Sequence, residues 1–218
     1  MALYGGDPLS SVRAASNEHR PKHAASLTGG EQECGVYPSD APKMRVLASL
    51  LRANAAGSVL EIGCGLGYSA LWLAEAAGPQ ATVETIDRFP EHIELARAHA
   101  EDLGYAGRIQ FLRGEAAAIL SRLSGPYDFI HDDGWFAQEP PYFRRMVELL
   151  RPGGLLVMSN WFLLAHAITG KWDVDWAQFA GPSWAEDVKA YAKRVTSDPG
   201  LYVSFIMQPA WVGLAVKR

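Results

Sequence analysis

An apolar run, three alternating glycines and a helix start make up Val59-Leu60-Glu61-Ile62-Gly63-Cys64-Gly65-Leu66-Gly67-Tyr68-Ser69-Ala70, and they constrain this chain more than any other stretch. Val59 to Ile62 reads as a buried strand that carries one carboxylate, Glu61. Gly63, Gly65 and Gly67 let that strand turn sharply into a helix, whose unpaired N-terminal amides are then open to a ligand. Such a unit belongs in a parallel sheet covered by helices, so the remaining sequence is read for its repetition.

The repetition is present. Met44, Leu47, Leu50 and Leu51 recur at helical spacing, which predicts a helix over about 40–54. Strands are expected at 58–62, 81–86, 108–112, 127–131 and 155–158. Helices are expected at 68–77, from Pro90 to Gly104, at 115–123, at 141–150 and at 183–196. Pro90 suits a first-turn position and Gly104 a helix end. Residues 202–207 and 211–216 read as two strands joined through Gln208-Pro209-Ala210, a link so short that they must pair antiparallel. The fold class is therefore α/β: a doubly wound, mostly parallel, seven-stranded Rossmann-like sheet with an antiparallel C-terminal strand, placed at a reversed edge. Residues 1–38 lack clear periodicity and read as an N-terminal arm or cap of loose chain or short helices, leaving 39–218 as one domain. With 218 residues, 49% of them hydrophobic, the chain is long enough to bury a single sizeable core.

In such a sheet, ligands bind beyond the carboxyl ends of the strands. Strand one ends in Glu61 and the glycine turn, and strand two in Asp87, 24 positions after Gly63, where an acid suits ribose hydroxyls. Tyr68 stands where a dinucleotide fingerprint needs its third glycine, which points away from nicotinamide and toward S-adenosylmethionine. Ser69 can offer a hydroxyl and an amide to that cofactor's carboxylate. Cys64 is read as a small turn residue rather than a nucleophile.

Strand four ends His131-Asp132-Asp133-Gly134-Trp135. A strand covered on both faces does not hold three consecutive ionisable groups in its interior, so the chain is expected to emerge into the crevice near His131. Strand five ends Met158-Ser159-Asn160-Trp161 on the neighbouring rim. Asp133 and His131 are the candidate catalytic groups, with His166 a further candidate base. Trp135, Phe136, Trp161, Phe162, Trp172 and Trp176 offer an apolar wall for a small acceptor, although aromatic clusters serve equally as core.

The sequence resembles the cation-dependent class I O-methyltransferases, the group that includes catechol and caffeoyl-coenzyme A O-methyltransferases. The resemblance runs over about 39–218. It is carried by Val59-Leu60-Glu61-Ile62-Gly63 with Gly67-Tyr68-Ser69, by Thr85-Ile86-Asp87, by Tyr127-Asp128-Phe129-Ile130 before Asp133, and by Leu149-Leu150-Arg151-Pro152-Gly153-Gly154 before Asn160. The resemblance implies that Glu61, Gly63, Cys64 and Ser69 line the methionine end of S-adenosylmethionine and that Asp87 binds its ribose. It places the backbone near Ala116 and the ring of Trp135 at the adenine, with Ser39 near another cofactor contact. It also implies a homodimer and a magnesium ion held by Asp133 and Asn160. Ser159 stands where the family has a second aspartate, and Phe136 where the catechol enzymes have a lysine. A weakened or lost metal dependence is therefore expected.

Net charge is −4 and no basic run is present, which argues against nucleic acid as partner. The longest apolar stretch, 155–167, is too short to span a bilayer and is interrupted by Ser159, Asn160 and His166. Two cysteines, Cys34 and Cys64, and no evident signal peptide suit a cytoplasmic protein. The leading expectation is an S-adenosylmethionine-dependent O-methyltransferase acting on a small hydroxylated, aromatic acceptor. A non-catalytic cofactor-binding protein that kept the fold stays open as an alternative, as does an RNA methyltransferase.

Overall fold

The computed structural model describes residues 7–18, 36–134, 140–171, 175–177 and 181–218. Its strands are β1 (Ser58–Ile62), β2 (Thr82–Asp87), β3 (Ile109–Arg113), β4 (Tyr127–Asp132), β5 (Leu150–Met158), β6 (Leu201–Ile206) and β7 (Val212–Lys217). The helices described are α1 (Ser10–Glu18), α2 (Ala41–Ala53), α3 (Tyr68–Ala77), α4 (Pro90–Asp102), α5 (Ala116–Leu120), α6 (Pro140–Leu149), α7 (Phe162–Thr169) and α8 (Trp184–Thr196).

The seven strands form one sheet in the order β3-β2-β1-β4-β5-β7-β6. Strands β1 to β5 pair in parallel, and the order reverses at β1, so the crevice between the ends of β1 and β4 is the switch point where such sheets bind ligands. The C-terminal hairpin is antiparallel, as its short link requires, with Leu201 opposite Lys217 and Ile206 opposite Val212. The reversed strand is not the edge, however. β7 lies between β5 and β6, and β6 takes the edge. Burial accounts for this: β7 buries Val212, Gly213 and Ala215, whereas β6 leaves Tyr202 and Phe205 exposed.

Alternate residues along each strand supply two cores, one per face. Val59, Val83, Phe129, Leu155 and Val157 pack with α1, α2 and α3, while Leu60, Ile62, Ile130, Leu156 and Met158 pack with α6, α7 and α8. Helix α3 is apolar all round and buries eight of its ten residues, because it lies beneath α2 and against the sheet. The N-terminal helix α1 sends Leu9 and Val12 into the same core, so this part of the arm is packed rather than loose.

Two departures from the sequence reading concern the β5 region. β5 begins at Leu150, not near 155, because a register shift between Tyr127 and Phe129 lets Pro152-Gly153-Gly154 bulge within the strand. Helix α7 follows almost directly, hidden in the sequence by an apolar run that continues from strand to helix. None of the described helices is long and apolar enough to cross a membrane.

Candidate active site

The glycine turn takes the conformation its spacing suggests. Gly63, Gly65 and Gly67 have φ of +96°, +50° and +88°, a region that side chains disfavour. The amides of Gly63 and Cys64 both donate to the Ile86 carbonyl, at 3.0 and 3.1 Å, which ties the turn to β2. Close approach matters as much as φ. A Cβ on Gly63 would lie 2.8 Å from the Asp133 carbonyl oxygen, and one on Gly65 would lie 2.9 Å from Val36 Cγ1. The end of β1 and the end of β4 therefore meet backbone to backbone, with the Asp133 amide donating to the Ile62 carbonyl at 2.9 Å.

Asp87 closes the second side of the turn. Its Oδ2 accepts from the Gly65 amide at 2.9 Å and its Oδ1 from the Phe89 amide at 3.0 Å, while the buried His92 places Nδ1 3.3 Å from Oδ1. Ser69 is buried in the first turn of α3, and Ala116 opens α5 beyond β3. The Cys64 thiol is buried, and that burial, reinforced by the charges of Glu61 and Asp87, pushes its pKa well above the usual range. It is an inert turn residue.

At the ends of β1, β4 and β5 the register sets Glu61 beside His131 and His131 beside Val157, one residue short of Met158-Ser159. Both Glu61 and His131 are fully buried. Glu61 Oε2 accepts from Thr85 Oγ1 at 2.6 Å, and Oε1 lies 3.3 Å from His131 Nδ1. His131 Nε2 lies 3.0 Å from Ser159 Oγ. A carboxylate, an imidazole and a hydroxyl thus form one continuous chain from the interior to the rim. In the tautomer with its proton on Nδ1, His131 donates to Glu61 and accepts at Nε2 from the serine.

Asp133 stands at the end of this chain, its Oδ2 4.0 Å from His131 Nε2. Ser39 Oγ donates to Oδ2 at 3.0 Å, and Lys43 Nζ lies 3.1 and 3.2 Å from the two oxygens. Burial alone would raise the Asp133 pKa, but the charge of Lys43, then that of His131 when its ring is protonated, and the hydrogen bonds from Lys43 and Ser39 hold it down to about 2. Its neighbour Asp132 behaves oppositely: burial, with the charge of Asp133 adding, pushes it up to about 7 against the pull of the Gly134 amide and Tyr142.

Relatives with known names complete the picture. Residues 53–195 match the family described as Methyltransferase domain. A catechol O-methyltransferase of Mycobacterium tuberculosis is 34% identical over 161 residues, covering 72% of this chain and 67% of that protein. The chain belongs to the O-methyltransferase family. Cofactor-bound Rv0187 from MTB superposes with a TM-score of 0.79 at 27% identity, covering 100% of this chain and 93% of that one. The O-methyltransferase TomG from Streptomyces achromogenes, in complex with SAM, shares the fold at a TM-score of 0.69 and 23% identity, covering 95% of this chain and 96% of that one.

Within this O-methyltransferase fold, the rim groups that the resemblance assigns to a divalent ion are engaged with other partners. Both oxygens of Asp133 are taken by an ammonium and a hydroxyl, Ser159 is bonded to His131, and the Asn160 amide donates to the Gly134 carbonyl at 3.4 Å. Among the described residues no group of three or more histidines, cysteines and acids is placed to hold a metal. A cation arriving at Asp133 would meet a fixed positive charge.

The structure brings together Glu61, Gly63, Cys64, Ser69 and Asp87 around the turn, and His131, Asp133 and Asn160 around the neighbouring rim. Trp135, Phe136 and Trp172 lie outside the described residues, as does Cys34. Trp161 is core rather than acceptor wall, 1% exposed and packed on Tyr191 and Phe205. His166 is bound at Nδ1 by Trp176 Nε1 at 2.9 Å, and burial lowers its pKa. Lys43, Ser39 as an Asp133 ligand, and His92 escaped the sequence reading. Only the helical pattern around Met44 hinted that position 43 lies near the inner side of α2.

Proposed function

We propose that the chain is an S-adenosylmethionine-dependent O-methyltransferase acting on a small hydroxylated aromatic acceptor, with no need of a divalent ion. One observation carries this reading: the Gly63 backbone is in contact with that of Asp133, so the turn suited to the donor directly adjoins the rim suited to the acceptor.

On the donor side, the amides of the glycine turn and Ser69 receive the methionine end. Asp87 receives the ribose, exchanging part of its hold on Gly65 and Phe89 for sugar hydroxyls, and Ala116 borders the base. Glu61 acts at one remove, because its carboxylate is spent on Thr85 and His131. Bound there, S-adenosylmethionine would supply a methyl group to the acceptor oxygen, the carbon–sulfur electron pair going to sulfur as that bond breaks.

The protein's own task is to orient that oxygen and take its proton. Ser159 Oγ accepts the acceptor's proton while passing its own to His131 Nε2, and the resulting imidazolium is balanced by Glu61. His131 suits this role better than Asp133, whose low pKa makes it a poor base. The geometry is that of a base oriented by a buried acid, at home in several enzyme classes.

The test is transfer of labelled methyl from S-adenosylmethionine to a panel of hydroxylated aromatics, with chelator present throughout. Cofactor binding without transfer to any member would favour a non-catalytic binding protein instead. Absence of cofactor binding by a folded chain would overturn the reading altogether.

A further inference from the structure

Lys43 is buried on α2, 9% exposed, one turn from a helix start capped by Asp40, whose Oδ1 accepts from the Lys43 amide at 2.8 Å. Lysines are seldom buried so far without a reason. This one converges with Ser39 on Asp133, a carboxylate reached from 90 residues away in sequence. An ammonium has three N–H groups. Two are directed at Asp133 Oδ1 and Oδ2, which leaves a third for an oxygen at the rim. The groups facing that point are Asp133 and Ser39, then His131 and Ser159 through the short contacts described above.

We propose that Lys43 is the resident cation of the acceptor site, holding a single acceptor oxygen and favouring its anionic form in place of a metal ion. The inference rests on the O-methyltransferase reading above and adds an acceptor class. A divalent ion offers several coordination positions and can chelate two adjacent hydroxyls. One remaining N–H holds one oxygen. The preferred acceptor is therefore a compound with one acidic hydroxyl, such as a phenol or enol, and a vicinal diol is not required. The Asp133–Lys43 pair is neutral as a whole, so a phenolate joins a pair with no net charge of its own.

The probe is 4-nitrophenol, whose phenolate absorbs apart from the phenol, added to protein saturated with S-adenosylhomocysteine in the presence of chelator. Binding to the wild type at a pH below the phenol's own pKa is expected to raise the phenolate band. K43R is expected to keep that signature. K43M is expected to lose it, and so is K43M/D133N, which leaves no orphaned carboxylate and guards against simple misfolding. Turnover of 4-hydroxybenzoate and 3,4-dihydroxybenzoate is expected to be comparable in the wild type and to fall by roughly 100-fold in K43M, the scale for losing one donor to a reacting oxygen. Titration of Mn²⁺ into the wild type, followed by paramagnetic resonance, is expected to leave the free-ion signal undiminished.

Stoichiometric Mn²⁺ binding at Asp133, a phenolate band absent from the wild type, or one unchanged in both K43M variants would each overturn the proposal. Calorimetry with S-adenosylhomocysteine separates this from failure of the wider reading. Normal cofactor binding with those adverse results sinks Lys43 alone, whereas no cofactor binding sinks the function.

Discussion

Gly63 and Asp133 approach closely through their backbones: a Cβ on Gly63 would lie 2.8 Å from the Asp133 carbonyl oxygen. With φ at +96°, any side chain at position 63 meets both a steric and a conformational obstacle. G63A should therefore lose roughly 2–4 kcal/mol of stability, combining overpacking and backbone strain. Its cofactor affinity should fall as the turn is pushed off β4. Denaturant unfolding and calorimetric titration would check both; a variant indistinguishable from wild type would mean that the two strand ends move independently.

Ser159 links the rim to His131 at 3.0 Å. S159A should lower kcat by about 100-fold, the lower range for removing a proton-transfer step, while leaving the cofactor's dissociation constant within a few-fold. S159C, which keeps a protic group, should recover part of the loss. Equal activity in S159A and wild type would dismiss the relay through His131.

Asp87 bonds two backbone amides around the donor site and adjoins a buried histidine. D87A should weaken cofactor binding by roughly 10- to 100-fold, as charged hydrogen bonds to ribose and turn are lost together. Thermal stability without cofactor should also drop. An affinity change with no change in melting temperature would show that the internal bonds to Gly65 and Phe89 matter little.

At the opposite end of the sheet Asp128 accepts from the amides of Gly57 and Ser58, both at 2.8 Å, and pairs with Arg151. Burial would raise its pKa, but the Arg151 hydrogen bond, those of Ser58 and Gly57, and the guanidinium charge together lower it. A carboxyl lowered on folding adds stability above its unfolded pKa of about 4, and that contribution disappears as pH falls through the folded value. D128N should accordingly be less stable than wild type at pH 7, with the gap closing in acid below about pH 4. Parallel unfolding curves across pH would decide it.

Much of this fold is written locally. The glycine turn, the strand that precedes it and the helices with Pro42 and Pro90 in their first turns each follow from residues next to one another. The site divides along the same line. Asp87 and Asp133 declare themselves by ending apolar strands, but the sequence says nothing of Lys43 meeting Asp133, because α2 and β4 are brought together only by the packing of α2 over α3. The Glu61–His131–Ser159 chain likewise depends on register across three strands, where a slip of one residue would turn every side chain to the other face. Helix α7 was illegible for a third reason. Leu155 to Ala167 is apolar except at Ser159, Asn160 and His166, and so continuous a run of apolar residues carries little period from which to tell strand from helix.

Helix α3, walled in on all sides, has a consequence for how the molecule opens. Beyond the first turn its amides are paired and largely buried, so protons from Leu71 to Ala76 should exchange mainly when the whole domain unfolds. The helix behind the donor cradle is then among the last parts of the domain to open. The opposite bank lies at the ends of β4 and β5. Variation there could retune the choice of acceptor while the donor's seat stays as it is.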